Sequence, residues 1–310
     1  MPNSLLDRVK ELFSCEYPEI QKHFDEMKPK PLYREMPWPY IGKLYEKPDY
    51  KGKRLPKVFV MAINQGRQKQ EPEKVPQSLD IQVKDGKYDR CWYAPLGIAA
   101  NFTRWLYAEA GDIPIDRIQP TDVHDRFAFD NYVKWAFPTR ASKPPPRAWE
   151  AFRKLNKELI TLLCPDIILA IGLAPYAEMT AHYGEWASDH PPWIGTLRMS
   201  ANTSVAVGRV YHPSYGPRLK PRWRKFLEEE YPLPRTVTIA IDAFTGQEHK
   251  PEEIKHIVGD IDGKPWWSEE YGYWSKNYGE LAKFLGWHVC GRLAKKWRQS
   301  VNNGWTSKRP

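Results

Sequence analysis

Residues 57–66 read KVFVMAINQG. The apolar run from Val58 to Ile63 has the length and composition of a strand buried on both faces. Asn64-Gln65-Gly66 then turns the chain sharply out of it. Gly66 accepts positive φ and leaves its backbone open to close approach by a ligand. Asn64 therefore stands at the carboxyl end of a central strand, where open α/β sheets bind their ligands. Residues 205–214, VAVGRVYHPS, repeat the layout: an apolar run, then His212-Pro213-Ser214. His212 thus follows its apolar run as Asn64 follows its own.

Between and around these stretches the chain is punctuated like an α/β protein. Residues 4–27 place Ser4 as a helix cap with Asp7 three residues on, followed by apolar residues at helical spacing. Residues 28–56 hold Pro29, Pro31, Pro37, Trp38, Pro39 and Tyr40, too aromatic for a disordered linker, and are expected to form an ordered arm over the core. Residues 67–90 are polar without a period, which reads as a long surface loop beside Asn64. Pro95 suits the first turn of a helix reaching about Ala110. Residues 127–135, FAFDNYVKW, alternate like a strand. A helix over 147–163, a strand over 166–171, a turn at Gly172 and a helix over 173–183 then repeat a βα unit, which implies a parallel sheet. Residues 196–200 and 205–211 are expected as the last core strands, 218–230 as a short helix and 236–243 as one more strand. A final helix is expected near 278–301.

Composition narrows the class. The 310 residues are 41% hydrophobic and 27% charged, enough to bury a full core as one large domain or one domain with an appendage. The net charge of +9 favours a polyanionic partner. The first residues, MPNSLLDRVKELF, carry charge too early for a signal peptide, and no apolar run approaches the roughly 20 residues of a membrane span. A cytoplasmic protein without membrane partners is expected. Cys15, Cys91, Cys164 and Cys290 are too scattered for a disulfide framework.

A strand ending in G-x-N-P-G, paired with a later strand ending in H-P-S, is the signature of the uracil-DNA glycosylase superfamily, and this chain resembles it. Ala62-Ile63-Asn64-Gln65-Gly66 departs from the first motif at the first glycine and at the proline; His212-Pro213-Ser214 matches the second. Asn131-Tyr132-Val133-Lys134 resembles the family's N-V-V-K stretch. The resemblance covers roughly residues 58–225. With the βα units it implies an α/β fold of three αβα layers around a central, mostly parallel four-stranded sheet. Residues 1–56 would then be an N-terminal helix and Pro/aromatic arm, 57–234 the glycosylase-like core, and 235–310 a basic, Trp-rich C-terminal extension. Some members hold an iron–sulfur cluster on four closely spaced cysteines, one of them following the N-V-V-K lysine. Here Trp135 follows Lys134 and no two cysteines are near in sequence, so neither a metal nor another cofactor is expected.

The resemblance also implies roles. Hydrolysis of an N-glycosidic bond requires the base to leave the stack, a water to be held beneath the sugar, and the departing base to be stabilised as it gains charge. His212 would donate to the base oxygen, as an oxyanion hole does. Asn64 would orient the water, since an amide directs a water but takes no proton from it at neutral pH. Tyr93 or Trp92, just before the second helix, would stack on the extracted base, and Asn131 would read its edge, with Gln65 beside it in the base pocket. Ser214 would grip a flanking phosphate, and Tyr215 or Arg218 would fill the gap in the duplex. Lys220, Arg222 and Arg224 continue the basic run along the DNA, and the basic Trp-rich tail is a further candidate clamp. The expected partner is double-stranded DNA, or single-stranded DNA, bound by a monomer. The substrate is an altered pyrimidine: uracil by family default, or a bulkier modified cytosine, as in prokaryotic anti-phage members, given the long loop 67–90. Two other classes compete, a catalytically weak or inactive DNA-binding member and an N-glycosidase acting on nucleosides or RNA.

Overall fold

The computed structural model describes residues 4–64, 94–138, 144–190, 194–210 and 278–302. Ser4 opens helix α1 (Leu5–Phe24) with a reciprocal capping box: its hydroxyl accepts from the Asp7 amide at 3.2 Å, and the Asp7 carboxylate accepts from the Ser4 amide at 3.2 Å. The arm that follows is ordered. It contributes the two-residue strand β1 (Tyr40–Ile41) and a small ribbon of β2 (Asp49–Tyr50) with β3 (Lys53–Arg54). The quoted apolar run is β4 (Val58–Asn64), followed by α2 (Ala94–Gly111), the short α3 (Pro120–His124) and β5 (Phe127–Val133). Next come α4 (Pro146–Leu163), β6 (Ile167–Ile171) and α5 (Leu173–His182). A meander of β7 (Glu185–His190), β8 (Ile194–Ser200) and β9 (Thr203–Val210) follows, and α6 (Tyr278–Asn302) is the last described element.

Apart from the β2–β3 ribbon, the described strands form one sheet in the order β1-β5-β4-β6-β9-β8-β7. Its four central strands, β5, β4, β6 and β9, are mutually parallel. Strands β1, β8 and β7 are antiparallel to their neighbours. Among the described residues the sheet therefore has seven strands rather than the expected four. The additions escape the pattern for physical reasons: β1 is two residues long, and EWASDH in β7 has no apolar run because most of its described side chains face solvent.

Helices cover both faces. Val58, Val60 and Ala62 of β4 point with Phe127, Phe129, Leu169 and Ala206 into a core shared with α2 and α6. Phe59, Met61, Ile168 and Val207 point the other way, into a core shared with α1, α4 and α5. This double coverage makes the parallel strands read as continuous apolar runs. It also buries every residue of β5, where the alternation of FAFDNYV suggests a half-exposed strand.

Helix α6, expected within a C-terminal extension, is a layer of this sandwich. Val289, Cys290, Leu293 and Ala294 are buried against α2 and β9. Gly208 on β9 leaves room for it: a Cβ there would come within 2.7 Å of Val289 and 2.9 Å of Leu293. The Cys290 thiol meets the Phe102 carbonyl at 3.8 Å, and Arg298 Nε donates to the Ala110 carbonyl at 3.3 Å. The same eight-residue step on both helices makes α6 run parallel to α2, away from the carboxyl ends of the strands. Among the described residues no helix is long and apolar enough to cross a membrane.

Candidate functional site at the carboxyl ends of the parallel strands

In chain order the four parallel strands are first β4, second β5, third β6 and fourth β9, so the sheet order is 2-1-3-4. The chain leaves β4 through α2 on one face and leaves β6 through α5 on the other. Strands β4 and β6 are neighbours whose connections diverge, which opens a crevice above their carboxyl ends. Asn64, the last residue of β4, lies at this crevice; its backbone is in register with Val133 of β5. On the far side, Gly172 follows β6 with φ 106 and ψ 156, a region open essentially to glycine alone. Its amide donates to the Val210 carbonyl at 2.7 Å, tying the end of β6 to the end of β9. His212 follows Val210 by two residues in sequence.

Asn131 is the other predicted site residue that the described structure contains. It pairs with Ala62, one step below Asn64↔Val133 in the parallel ladder, so it lies about 6–7 Å down the sheet from the strand end. Strand alternation puts it with Phe127 and Phe129 on the α2 face, 6% exposed. Among the described residues no donor or acceptor meets its side-chain amide. Gln65, Trp92, Tyr93, His212, Ser214, Tyr215, Arg218, Lys220, Arg222 and Arg224 lie outside the described residues, as do the expected helix 218–230 and strand 236–243. Helix α2 begins at Ala94, directly after Tyr93.

Beneath Asn131 is a polar cluster that sequence patterning does not reveal. Lys134 is fully buried, and its ammonium donates to Asp130 Oδ2 at 2.6 Å, to the Asn131 carbonyl at 2.6 Å and to Asn156 Oδ1 at 2.7 Å. These use all three of its donors. Asp130 Oδ1 also accepts from the Asn131 amide at 2.7 Å, and Asn156 Nδ2 donates to the Tyr132 carbonyl at 2.9 Å. Burial pushes the Asp130 carboxyl up and the Lys134 ammonium down from their ordinary values, and each opposes the other's shift by its charge. The signal available in sequence was an Asp in the strand and a Lys four residues on, the only charges in FAFDNYVKW.

Other side chains are structural. Trp135, which follows that lysine, is wedged between Phe24 of α1 and Phe152 of α4 at ring separations of 5.5 and 4.8 Å. Arg209, the basic residue three positions before His212, is buried on the α5 face with its guanidinium 5.0 Å from the Tyr176 ring. Cys15, Cys164 and Cys290 are free thiols on separate elements: in α1, at the end of α4 and in α6. The basic residues Lys295 and Arg298 are exposed on the half of α6 beside Ala110. Gly111 packs by Leu55, just before β4, so this half lies at the amino edge of the sheet. Seven residues of strand put it roughly 20 Å from Asn64.

A scan against protein-family models finds no match, and no curated protein matches the chain.

Proposed function

We propose that this protein is a monofunctional DNA glycosylase of the uracil-DNA glycosylase superfamily. It hydrolyses the N-glycosidic bond of an altered pyrimidine flipped out of duplex DNA and leaves an abasic site. The observation that carries the reading is the position of Asn64. The asparagine of the strand-turn motif ends the first parallel strand of a 2-1-3-4 sheet, beside the crevice that such a sheet reserves for ligands. Asn131 supports it from the adjacent strand, with an amide that no described residue occupies.

The chemistry follows from residue types. Asn64 orients a water at the anomeric carbon of the flipped nucleotide but takes no proton from it, so the glycosidic bond must be well broken before the water attacks. That places the burden on the leaving base. Neutral His212 donates to the base oxygen that gathers negative charge, and Asn131 matches the donor and acceptor edge of one pyrimidine. Tyr93 or Trp92 stacks on the base face. Ser214, Arg218, Lys220, Arg222 and Arg224 hold phosphates and supply affinity without sequence preference. The substrate class is uracil or a bulkier modified cytosine, the second giving a role in defence against phage DNA.

Replacing His212 with Ala tests the assignment. Base release from a uracil duplex should fall by about 3 kcal/mol of transition-state stabilisation, the scale of one lost oxyanion donor, with DNA affinity nearly unchanged. Near-normal single-turnover release by His212→Ala would remove the histidine from the mechanism.

A further inference from the structure

The Lys134 cluster has no part in the chemistry just described, yet it is built onto the strand that carries Asn131. An apolar side chain of similar volume would serve packing without the desolvation cost of a buried ion pair. What the cluster supplies instead is direction. One ammonium grips the Asn131 carbonyl, the Asp130 carboxylate grips the Asn131 amide, and Asn156 grips both the ammonium and the Tyr132 carbonyl. Both backbone polar groups of Asn131 are thus fixed from below, on the face opposite the one its side chain shares with Phe127 and Phe129.

We propose that Lys134 is a positioning residue: held by Asp130 and Asn156, it fixes the backbone of Asn131 and so aims the Asn131 carboxamide at the flipped base. The inference rests on the base-reading role proposed for Asn131. It extends that role to a fully buried residue that touches no DNA. Loosening the cluster should misplace the carboxamide and erode the choice between bases, leaving DNA affinity intact.

The test is the ratio of single-turnover release rates from two duplexes, one carrying a single uracil and one a single 5-hydroxymethylcytosine. It is measured for wild type, Asn131→Ala and Lys134→Met, with DNA affinity and Tm recorded for each. Lys134→Met should lower the preference by roughly 10- to 100-fold, the scale of a modest misplacement, and in the same direction as Asn131→Ala. Should Lys134→Met not fold, the paired variant Asp130→Asn/Lys134→Met carries the test, because it leaves no charge buried alone. If Asn131→Ala changes the preference and the folded cluster variant does not, Lys134 is structural only and the proposal is overturned while the glycosylase reading stands. If Asn131→Ala leaves the preference unchanged, or wild type releases neither base, the base-reading role itself falls and takes this inference with it.

Discussion

Gly172 shows how a single backbone conformation shapes the crevice. At φ 106 and ψ 156 it ends β6, starts α5 and donates its amide to the Val210 carbonyl, so the ends of two parallel strands are joined where the chain must diverge. An added Cβ would be strained at this φ whatever space surrounds it. Gly172→Ala should cost about 1–3 kcal/mol of stability, read as a lower denaturant midpoint at unchanged slope. An unchanged midpoint would mean the turn relaxes freely. In sequence Gly172 marks only a turn; its positive φ follows from the strand geometry around it. Lys134 is similar. A lysine after a strand reads as a solvated charge by default, and only the return of its side chain to Asp130, Asn131 and Asn156 shows otherwise.

At the scale of elements, β4, β6 and β9 were legible because burial on both faces demands apolar runs, β5 because its sequence alternates, and α4 and α5 because they follow or precede those strands at the spacing of a βα unit. The edges were not, since an edge strand such as β7 has little apolar surface to hide and keeps no period. The placement of α6 was not legible either. Its sequence is Trp-rich and basic and follows a change of pattern, whereas the residues it buries, among those whose burial is described, are Val289, Cys290, Leu293 and Ala294. If α6 is a true layer of the sheet, Leu293→Ala should destabilise the whole protein by about 2–5 kcal/mol, as for a leucine removed from a packed core. One cooperative unfolding transition, shifted down in Tm, is the expected result in a thermal melt. A transition that stays in place while only helix content falls would make α6 an appendage.

Across the whole molecule, charge and catalysis are expected at one end. The residues proposed to meet DNA follow in sequence after β9, which ends at the carboxyl edge of the sheet, whereas Lys295 and Arg298 of α6 lie at the opposite edge beside Ala110. Neutralising Arg222 and Arg224 together should therefore weaken binding to every DNA sequence and flatten the dependence of log affinity on log salt. Neutralising Lys295 and Arg298 should leave that slope unchanged. A slope that responds only to the α6 pair would put the DNA on the wrong edge of the sheet. The central claim, that Asn64 works a hydrolytic site at the crevice between β4 and β6, is tested most directly by single-turnover base release from a uracil duplex. The proteins to compare are wild type, Asn64→Ala and Asn64→Asp, with the Tm of each recorded. Wild type should produce alkali-labile abasic sites. Asn64→Ala should lose most of that activity at unchanged DNA affinity, and Asn64→Asp should retain or raise it, because a carboxylate both orients the water and accepts its proton. Wild-type activity per folded molecule in Asn64→Ala would contradict the account.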